Sequence, residues 1–318
     1  MISFKQYIEE MLLYERNLTS GADLNEILIA WYMADSQWRK VHDGRKIKAY
    51  YDMVQDRLTD EEFLNQSERA WAMSAVIEQW AKQNGYKGGV VKTWWTARAG
   101  VLAKAVGYPV DSRKNPTDTL LKFGDGQFLG ISAKSTKGKG DIGFKNPGAG
   151  TFDRLLKTSL SDMYREAQSK FATDLELSQS AAARKKEIKA DKTLLVKASA
   201  ARTIMLNLLR DHLLKAMNSM KDKKLREFIL DECMDAKPVL PKYIKVTGHG
   251  KSPNFNATIK DPLKDDKATM VAAEEIQLSA VGNDSVGVTA GGTKILKIRF
   301  KQEATAMASS MKLSVDPW

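Results

Sequence analysis

The sequence predicts an α/β protein in which helical regions precede and interrupt a mixed β-sheet core. Three observations lead to this fold class. Apolar residues recur at helical spacing through the first hundred residues, they alternate as in strands from Thr117 onward, and the alternation returns beyond Pro238 after a second helical stretch. With 318 residues, 43% of them hydrophobic, the chain is long enough to bury a sizeable core.

Helices dominate the N-terminal part. Ser3-x-x-Gln6 and Thr59-x-x-Glu62 are capping-box patterns, in which each side chain bonds a free backbone N–H of the other residue, and each predicts a helix start. Gly85 predicts the end of the second helix. Two apolar stripes at helical spacing fit these helices: Leu24, Ile27, Leu28 and Trp31, and Ala70, Met73, Ile77, Trp80 and Ala81. We expect the nearby tryptophans to be core residues rather than base-stacking platforms: Trp31, Trp38, Trp71 and Trp80.

A β-hairpin is the clearest feature of the middle of the chain. After a short strand at 90–93 and a helix at 97–106, strands at 117–123 and 127–134 flank the turn residues Gly124-Asp125-Gly126. Strand alternation puts Leu129, Ile131 and Ala133 on one face of the second strand and Gly130, Ser132 and Lys134 on the other.

Helices and then further strands follow the hairpin. Residues 135–150 form a glycine-rich basic loop, Thr151 caps a helix that runs to Phe171, and 172–236 is Ala/Lys/Leu-rich and helical. Composition shifts divide the chain into four parts: a helical region at 1–60, the sheet core at 61–171, a helical insertion at 172–237, and a β-rich part at 238–318 that completes or flanks the core.

Composition and missing motifs exclude several functional classes. One cysteine, Cys233, and three histidines, His42, His212 and His249, cannot form a disulfide framework or a Cys/His zinc cage. P-loop, Gly-x-Ser-x-Gly and His-Glu-x-x-His patterns do not occur. The longest apolar stretch, 27–34, is far shorter than the roughly 20 residues that cross a bilayer. We therefore expect no membrane partner and a cytoplasmic location, since the N-terminus also lacks signal-peptide features.

The net charge points to a polyanionic partner. The formal charge is +11, and residues 1–110 carry equal numbers of basic and acidic groups, so the whole excess lies after residue 110. Part of that excess is in the basic loop that follows the hairpin. This distribution favours nucleic acid as the partner.

The hairpin also brings together residues suited to phosphodiester hydrolysis. Asp118 begins one strand, and counting about the turn centre at Asp125 places it level with Ser132, two residues before Lys134. A carboxylate there suits Mg²⁺ or Mn²⁺, which neutralises the scissile phosphate and lowers the pKa of a water. A lysine beside it can position that water and stabilise the charge of the transition state.

These residues resemble the motif of the PD-(D/E)XK nuclease superfamily, which has the restriction-endonuclease-like fold. The resemblance rests on Pro116-Thr117-Asp118, a short hairpin, and Ser132-Ala133-Lys134, and it covers about residues 65–175 plus part of the C-terminal sheet. It implies a core made of a helix, a mixed sheet and a further helix, with Mg²⁺-dependent DNA cleavage. The strings Asn-Pro-Thr-Asp and Gly-Ile-Ser-x-Lys-Ser are similar to phage-encoded members, which implies action in a phage-infected cell.

One residue departs from the family pattern. Ser132 stands where the family usually has an Asp or Glu as the second metal ligand, so this is a Ser-x-Lys variant. The resemblance implies a relocated carboxylate from the first helix of the core, with Glu78 as the first candidate and Glu68 as the second. Ser132 would assist through its hydroxyl or through a metal-bound water. The expected DNA contacts are Lys137, Lys139 and Lys145 in the basic loop, and Lys297, Arg299 and Lys301 on a late strand.

Two other readings stay open. Loss of the second ligand would leave a DNA-binding protein on an inactive nuclease scaffold, and the helices of 152–236 would alternatively serve as a protein-interaction surface. A purely structural alternative is that Asp118 merely begins a strand after an Asn-Pro turn and Lys134 faces solvent. The sequence leaves open whether the chain forms a homodimer.

Overall fold

The structure is a computed structural model that describes residues 20–98, 100–111, 114–136, 144, 147–302 and 305–318. The chain divides into two compact units, the first from Met1–Ile142 and Pro238–Pro262 and the second from Gly143–Lys237 and Leu263–Trp318. Among the described helices, none combines the length and the apolar character that crossing a membrane requires.

The described part of the first unit begins with three helices and a 3₁₀ turn. They are α1 (Ser20–Tyr32), the turn Trp38–Lys40, α2 (Gly44–Gln55) and α3 (Asp60–Gln83). The predicted capping box at α3 is confirmed, because the Glu62 N–H donates to Thr59 Oγ1 at 3.3 Å while the Thr59 N–H donates to Glu62 Oε2 at 3.2 Å. The first box, Ser3 to Gln6, lies outside the described residues.

The first unit contains a mixed five-stranded sheet. Its strands are β1 (Val90–Trp95), β2 (Thr119–Phe123), β3 (Phe128–Thr136), β4 (Tyr243–Lys251) and β5 (Asn254–Lys260), in that order across the sheet. Neighbouring strands are antiparallel except β3 and β4, which are parallel. The short helix α4 (Val101–Val106) packs Leu102 against Trp94 and Leu120. The coarse α/β prediction is thus confirmed.

The main core of this unit lies between its first three helices and the sheet. Ile27 of α1 and Met73 and Ile77 of α3 are fully buried in one cluster with Leu129 and Ile131 of β3. The predicted alternation along β3 is therefore correct. The predicted turn is also correct, since the Gln127 N–H donates to Asp125 Oδ1 at 3.0 Å and Gly126 takes a φ of +86°.

The second unit combines helices with an antiparallel sheet. The helices are α5 (Ala149–Leu156), α6 (Leu160–Asp174), α7 (Ala181–Ala190), α8 (Lys192–Asn218), α9 (Asp222–Phe228), a π-helical turn (Ile229–Cys233), the 3₁₀ turn Pro262–Lys264 and α10 (Asp266–Ala273). The strands are β6 (Ile276–Val281), β7 (Ser285–Ala290), β8 (Thr293–Gln302) and β9 (Met311–Pro317), in sequential order. Cys233 is buried.

The two units differ from the four-part division that composition suggests. Residues 20–60 pack on the first sheet through Ile27 and Ile47, so they belong to that unit rather than to a separate region. Phe152 and Phe171 are buried in the core of the second unit, which places them outside the sheet core of 61–171. The part from residue 238 is divided, because β4 and β5 join the first sheet while β6–β9 form the second.

Three local predictions need correction. Trp71 is 60% exposed, because it projects from the side of α3 away from the core. The helix expected from Thr151 to Phe171 is broken at Lys157, which has a φ of +53°, and the Asp153 carboxylate accepts from the Leu160 and Ser161 N–H groups at the start of α6. The helix expected at 97–106 begins only at Val101.

Gly130→Ala is expected to destabilise the first unit by about 1–3 kcal/mol. A Cβ at Gly130 would collide with Thr117 Oγ1 and lie 2.9 Å from the Tyr243 Cβ, so β2, β3 and β4 would have to shift. Urea unfolding of the purified variant measures the effect. Gly150→Ala is the control, because nothing lies within 4 Å of its Cβ position and alanine favours the helix there. Equal stability of Gly130→Ala and the parent would contradict the packing described.

Candidate active site

Asp118 is held at the entrance to β2 by both neighbouring strands. Its N–H donates to the Ile131 carbonyl at 2.8 Å, and the Thr119–Ile131 register places it beside Ser132, as the count about the turn predicts. Its Oδ2 accepts from the Ala133 N–H at 2.8 Å, and the Ser132 hydroxyl also donates to the carboxylate. The Asp118 carboxylate is therefore fixed in position by hydrogen bonds from β3.

A second carboxylate, Glu26, comes from α1. Trp95 Nε1–H at the end of β1 donates to Glu26 Oε2 at 2.9 Å, and the Thr119 hydroxyl donates to the Glu26 carbonyl at 3.0 Å. These two bonds tie α1 to β1 and β2 where Asp118 enters the sheet. The helix thereby brings Glu26 close enough to Asp118 for the two charges to interact.

Burial and mutual repulsion hold protons on this pair. Loss of hydration, together with the nearby Asp118 charge, raises the pKa of Glu26 to about 8, although the Trp95 hydrogen bond opposes this. Burial raises the pKa of Asp118 to about 6 against hydrogen bonds from Ala133 and Ser132 and the charge of Lys134. Near pH 7 the two carboxyl groups therefore share about one proton.

Two lysines lie on the strands beside the carboxylate pair. Lys134 is exposed on β3, and its charge acts on Asp118. Lys245 on β4 is directly beside Ser132 in the parallel register and only 6% exposed. One exposed and one buried cation thus lie beside the carboxylates, and Glu26 and Asp118 both keep part of their surface open to solvent.

A polar network fixes the end of β3 next to Lys134. Ser135 Oγ donates to Gln66 Oε1 at 2.7 Å and accepts from Arg69 Nη1 at 3.2 Å. The Arg69 guanidinium, 2% exposed, also donates to the Gly250 carbonyl at 2.8 and 3.1 Å. Because a buried guanidinium needs such partners, the α3–β3–β4 contact is rigid where Lys134 emerges.

Asp23, the other acidic residue of α1, supports the Trp95 side of the site. Asp23 accepts from the Tyr50 hydroxyl at 2.9 Å, and the Tyr50 ring stacks on Trp95 with centroids 5.2 Å apart. The Arg98 guanidinium carbon lies 5.9 Å from the centroid of the Trp95 ring. Tyr50 and Arg98 thus both contact the Trp95 ring, which donates to Glu26.

The structure places the two expected helix carboxylates away from Asp118. Glu78 is 62% exposed in an ion pair with Lys82 at 2.7 Å, and it lines a cavity of about 530 Å³ together with Phe123. Phe123 ends β2, roughly 16 Å along the strand from Asp118. Glu68 lies close enough to Tyr32 for its charge to act on the tyrosine hydroxyl. Tyr32 is six residues, or about 9 Å, along α1 from Glu26. The prediction took α3 for the helix that reaches the site, whereas α1 does.

The predicted DNA-contact lysines fall into two groups. Lys137, Lys139 and Lys145 lie outside the described residues. Lys297, Arg299 and Lys301 are on β8 of the second unit, where Arg299 pairs with Asp284 at 3.1 Å and Lys301 pairs with Asp316 at 3.2 Å. The expected basic strand face exists, and acidic neighbours partly neutralise it.

Sequence reasoning missed Glu26, Trp95 and Lys245. A signal for Glu26 was present, because Asp23 and Glu26 are acidic residues three apart in an otherwise apolar helix and so share a face. Within the described ranges, no group of three or more His, Cys, Asp and Glu side chains is arranged to hold a metal ion. Comparison with known proteins finds no matching family model and no matching curated protein.

Proposed function

We propose that the chain is a Mg²⁺-dependent deoxyribonuclease that hydrolyses DNA phosphodiester bonds. The observation that carries this proposal is the pairing of Glu26 with Asp118, two carboxyl groups with raised pKa values beside the exposed Lys134. Such clusters of perturbed titratable groups are typical of catalytic sites. Glu26 takes the part of the relocated carboxylate that the Ser-x-Lys variant requires.

The residues present fit a divalent cation. Mg²⁺ is commonly held by one or two carboxylates, with water and substrate phosphates completing its shell, and Mn²⁺ accepts the same oxygen ligands. Glu26 and Asp118 repel each other when both are ionised, and a cation would remove that repulsion. When bound, the ion supplies charge neutralisation at the phosphate and lowers the pKa of a bound water.

The protein residues have separate tasks in this proposal. Ser132 and the Ala133 N–H orient Asp118, and Trp95 orients Glu26. The Lys134 ammonium can contact the attacking water or the developing phosphate charge, where a positioned cation contributes most. The solvent-open surfaces of the two carboxylates leave room for a phosphate to approach.

The topology of the first unit supports membership of the restriction-endonuclease-like fold. Helix α1 is followed by the antiparallel strands β1, β2 and β3, and after a long crossover β4 returns parallel to β3. This agrees with the helix and the mixed sheet that the resemblance implies, whereas the helices of the crossover belong to the second unit. From the strings Asn-Pro-Thr-Asp and Gly-Ile-Ser-x-Lys-Ser, we propose that the protein is a phage-encoded member that acts inside the infected cell.

Asp118→Asn and Lys134→Gln are each expected to reduce Mg²⁺-dependent plasmid cleavage by about 100-fold or more. The measurement is the rate of supercoiled plasmid loss with Mg²⁺, with Mn²⁺ and with EDTA. Asp125→Asn in the turn of the same hairpin is the matched control and should cleave at the parental rate. Cleavage that survives both site variants would refute the assignment. Tight binding without cleavage by the parent would favour the inactive DNA-binding scaffold.

A further inference from the structure

A second polar site lies in the second unit, at the end of its sheet where β8 ends and β9 begins. A cavity of about 600 Å³ opens there between these strands, the Asn283–Asp284 turn and α8. Its charged lining consists of four cations, Arg202, Arg299, Lys301 and Lys312, and one carboxylate, Asp284. Among the described residues the lining is therefore strongly basic.

The strand register concentrates this charge. Lys301 of β8 is directly opposite Lys312 of β9, and side chains of directly opposed residues project to the same face. Like charges in that arrangement are unfavourable unless an anion lies between or beside them. Asp316 reaches Lys301 at 3.2 Å, and Asp284 reaches Arg299 at 3.1 Å, so acidic neighbours balance part of this positive charge.

Helix α8 supplies the other wall. Arg202, partly buried, reaches the cavity from α8 together with Thr203 and Leu206. Eight residues along the same helix, Arg210 donates to the Gly282 carbonyl and so fastens the turn that carries Asn283 and Asp284. The position of the turn relative to Arg202 is thus set by the fold.

The exposure of the cations favours a polymer over a small anion. The Arg299 and Lys301 side chains are 49% and 45% exposed, so they form an open basic wall rather than an enclosed anion cage. Open arginines and lysines from several elements are the usual contacts to phosphate backbones, and they position the polymer without reading its sequence.

We propose that this cationic pocket, formed by Arg202, Arg299, Lys301 and Lys312, binds the phosphodiester backbone of nucleic acid. It is a binding site separate from the Glu26–Asp118 pair and takes no part in bond cleavage. The inference rests on the proposed function only in that DNA is taken as the polyanion.

The test compares two double variants that each remove two positive charges from the second unit. Arg202→Gln with Lys312→Gln changes the pocket, whereas Lys186→Gln with Lys224→Gln changes exposed lysines on α7 and α9. Binding of a fluorescein-labelled 30-base-pair duplex is followed by anisotropy in EDTA, so that no metal-dependent cleavage occurs, over a series of salt concentrations. The pocket variant should bind about tenfold more weakly at 0.1 M salt, with a salt slope lower by about 2, while the control keeps the parental slope.

Equal slopes for the two double variants would overturn the proposal. If the pocket variant loses slope but its circular dichroism spectrum is that of an unfolded protein, the same comparison is made with the double variant Lys301→Gln and Lys312→Gln. Stabilisation of the parent, but not of the pocket variant, by 5′-mononucleotide or inorganic phosphate at equal slopes would show a small-anion site instead. Since Asp118→Asn should bind DNA like the parent, failure of cleavage and failure of this pocket are distinguishable.

Discussion

Glu26→Gln is expected to abolish most Mg²⁺-dependent cleavage, with a loss of at least the roughly 100-fold that removing a partner of a metal ligand costs. Glutamine keeps the size of the side chain and still offers a carbonyl oxygen to Trp95 Nε1–H, which lies 2.9 Å from Glu26 Oε2 in the parent. Only the ability to ionise is lost. A defect in cleavage would then reflect that loss and not a displaced helix.

The matched controls are the two carboxylates that the sequence suggested for this role. Glu78 and Glu68 lie on α3. The variants Glu78→Gln and Glu68→Gln should both cleave plasmid DNA at close to the parental rate. Metal titration gives a second readout, since Mg²⁺ should raise the melting temperature of the parent and of both controls but not of Glu26→Gln. If Glu78→Gln lost activity and Glu26→Gln kept it, the assignment of the second carboxylate to α1 would be wrong.

The residues of the site that lie on the hairpin were predictable from the sequence. The residue that tertiary packing brings to the site was not. Asp118 and Ser132 come level because a tight turn fixes the register of two short strands. Glu26 is 92 residues before Asp118 in the sequence. Its place depends on how α1 packs across β1 and β2, which local pattern does not determine. The family resemblance called for a helix carboxylate, and three helices in the described part of the first unit carry one.

The same distinction holds for the fold. Local signals found α3, through its capping box, and the strands on both sides of the Asp125 turn. They could not show that β5 belongs to the first sheet while β8 belongs to another, because both strands have the same alternating pattern. Trp71 shows a second limit of sequence patterns, since an apolar residue next to a helical stripe can still face solvent.

The metal-free protein is expected to lose stability as the pH rises from about 4.5 to about 8, and Glu26→Gln should lose less. The ordinary pKa of a glutamate is 4.5, and burial beside Asp118 raises that of Glu26 to about 8 in the folded state. Below both values the carboxyl is protonated in both states and contributes no pH dependence. Between them the unfolded chain has released a proton that the folded chain still holds, so rising pH favours unfolding by up to about 1.4 kcal/mol per pH unit.

Urea unfolding in EDTA at pH 5, 6.5 and 8 measures this difference. The parent and Glu78→Gln should weaken in parallel with rising pH, because the Glu78 carboxylate is exposed and ion-paired with Lys82. Glu26→Gln should show a shallower decline, and it should be the more stable protein at pH 8, where the parent carries the repulsion between the two ionised carboxylates. Added Mg²⁺ should restore stability to the parent most strongly at that pH, since a cation competes with the shared proton for the same oxygens. Identical pH profiles for the parent and Glu26→Gln would mean that Glu26 and Asp118 do not form a buried pair in solution.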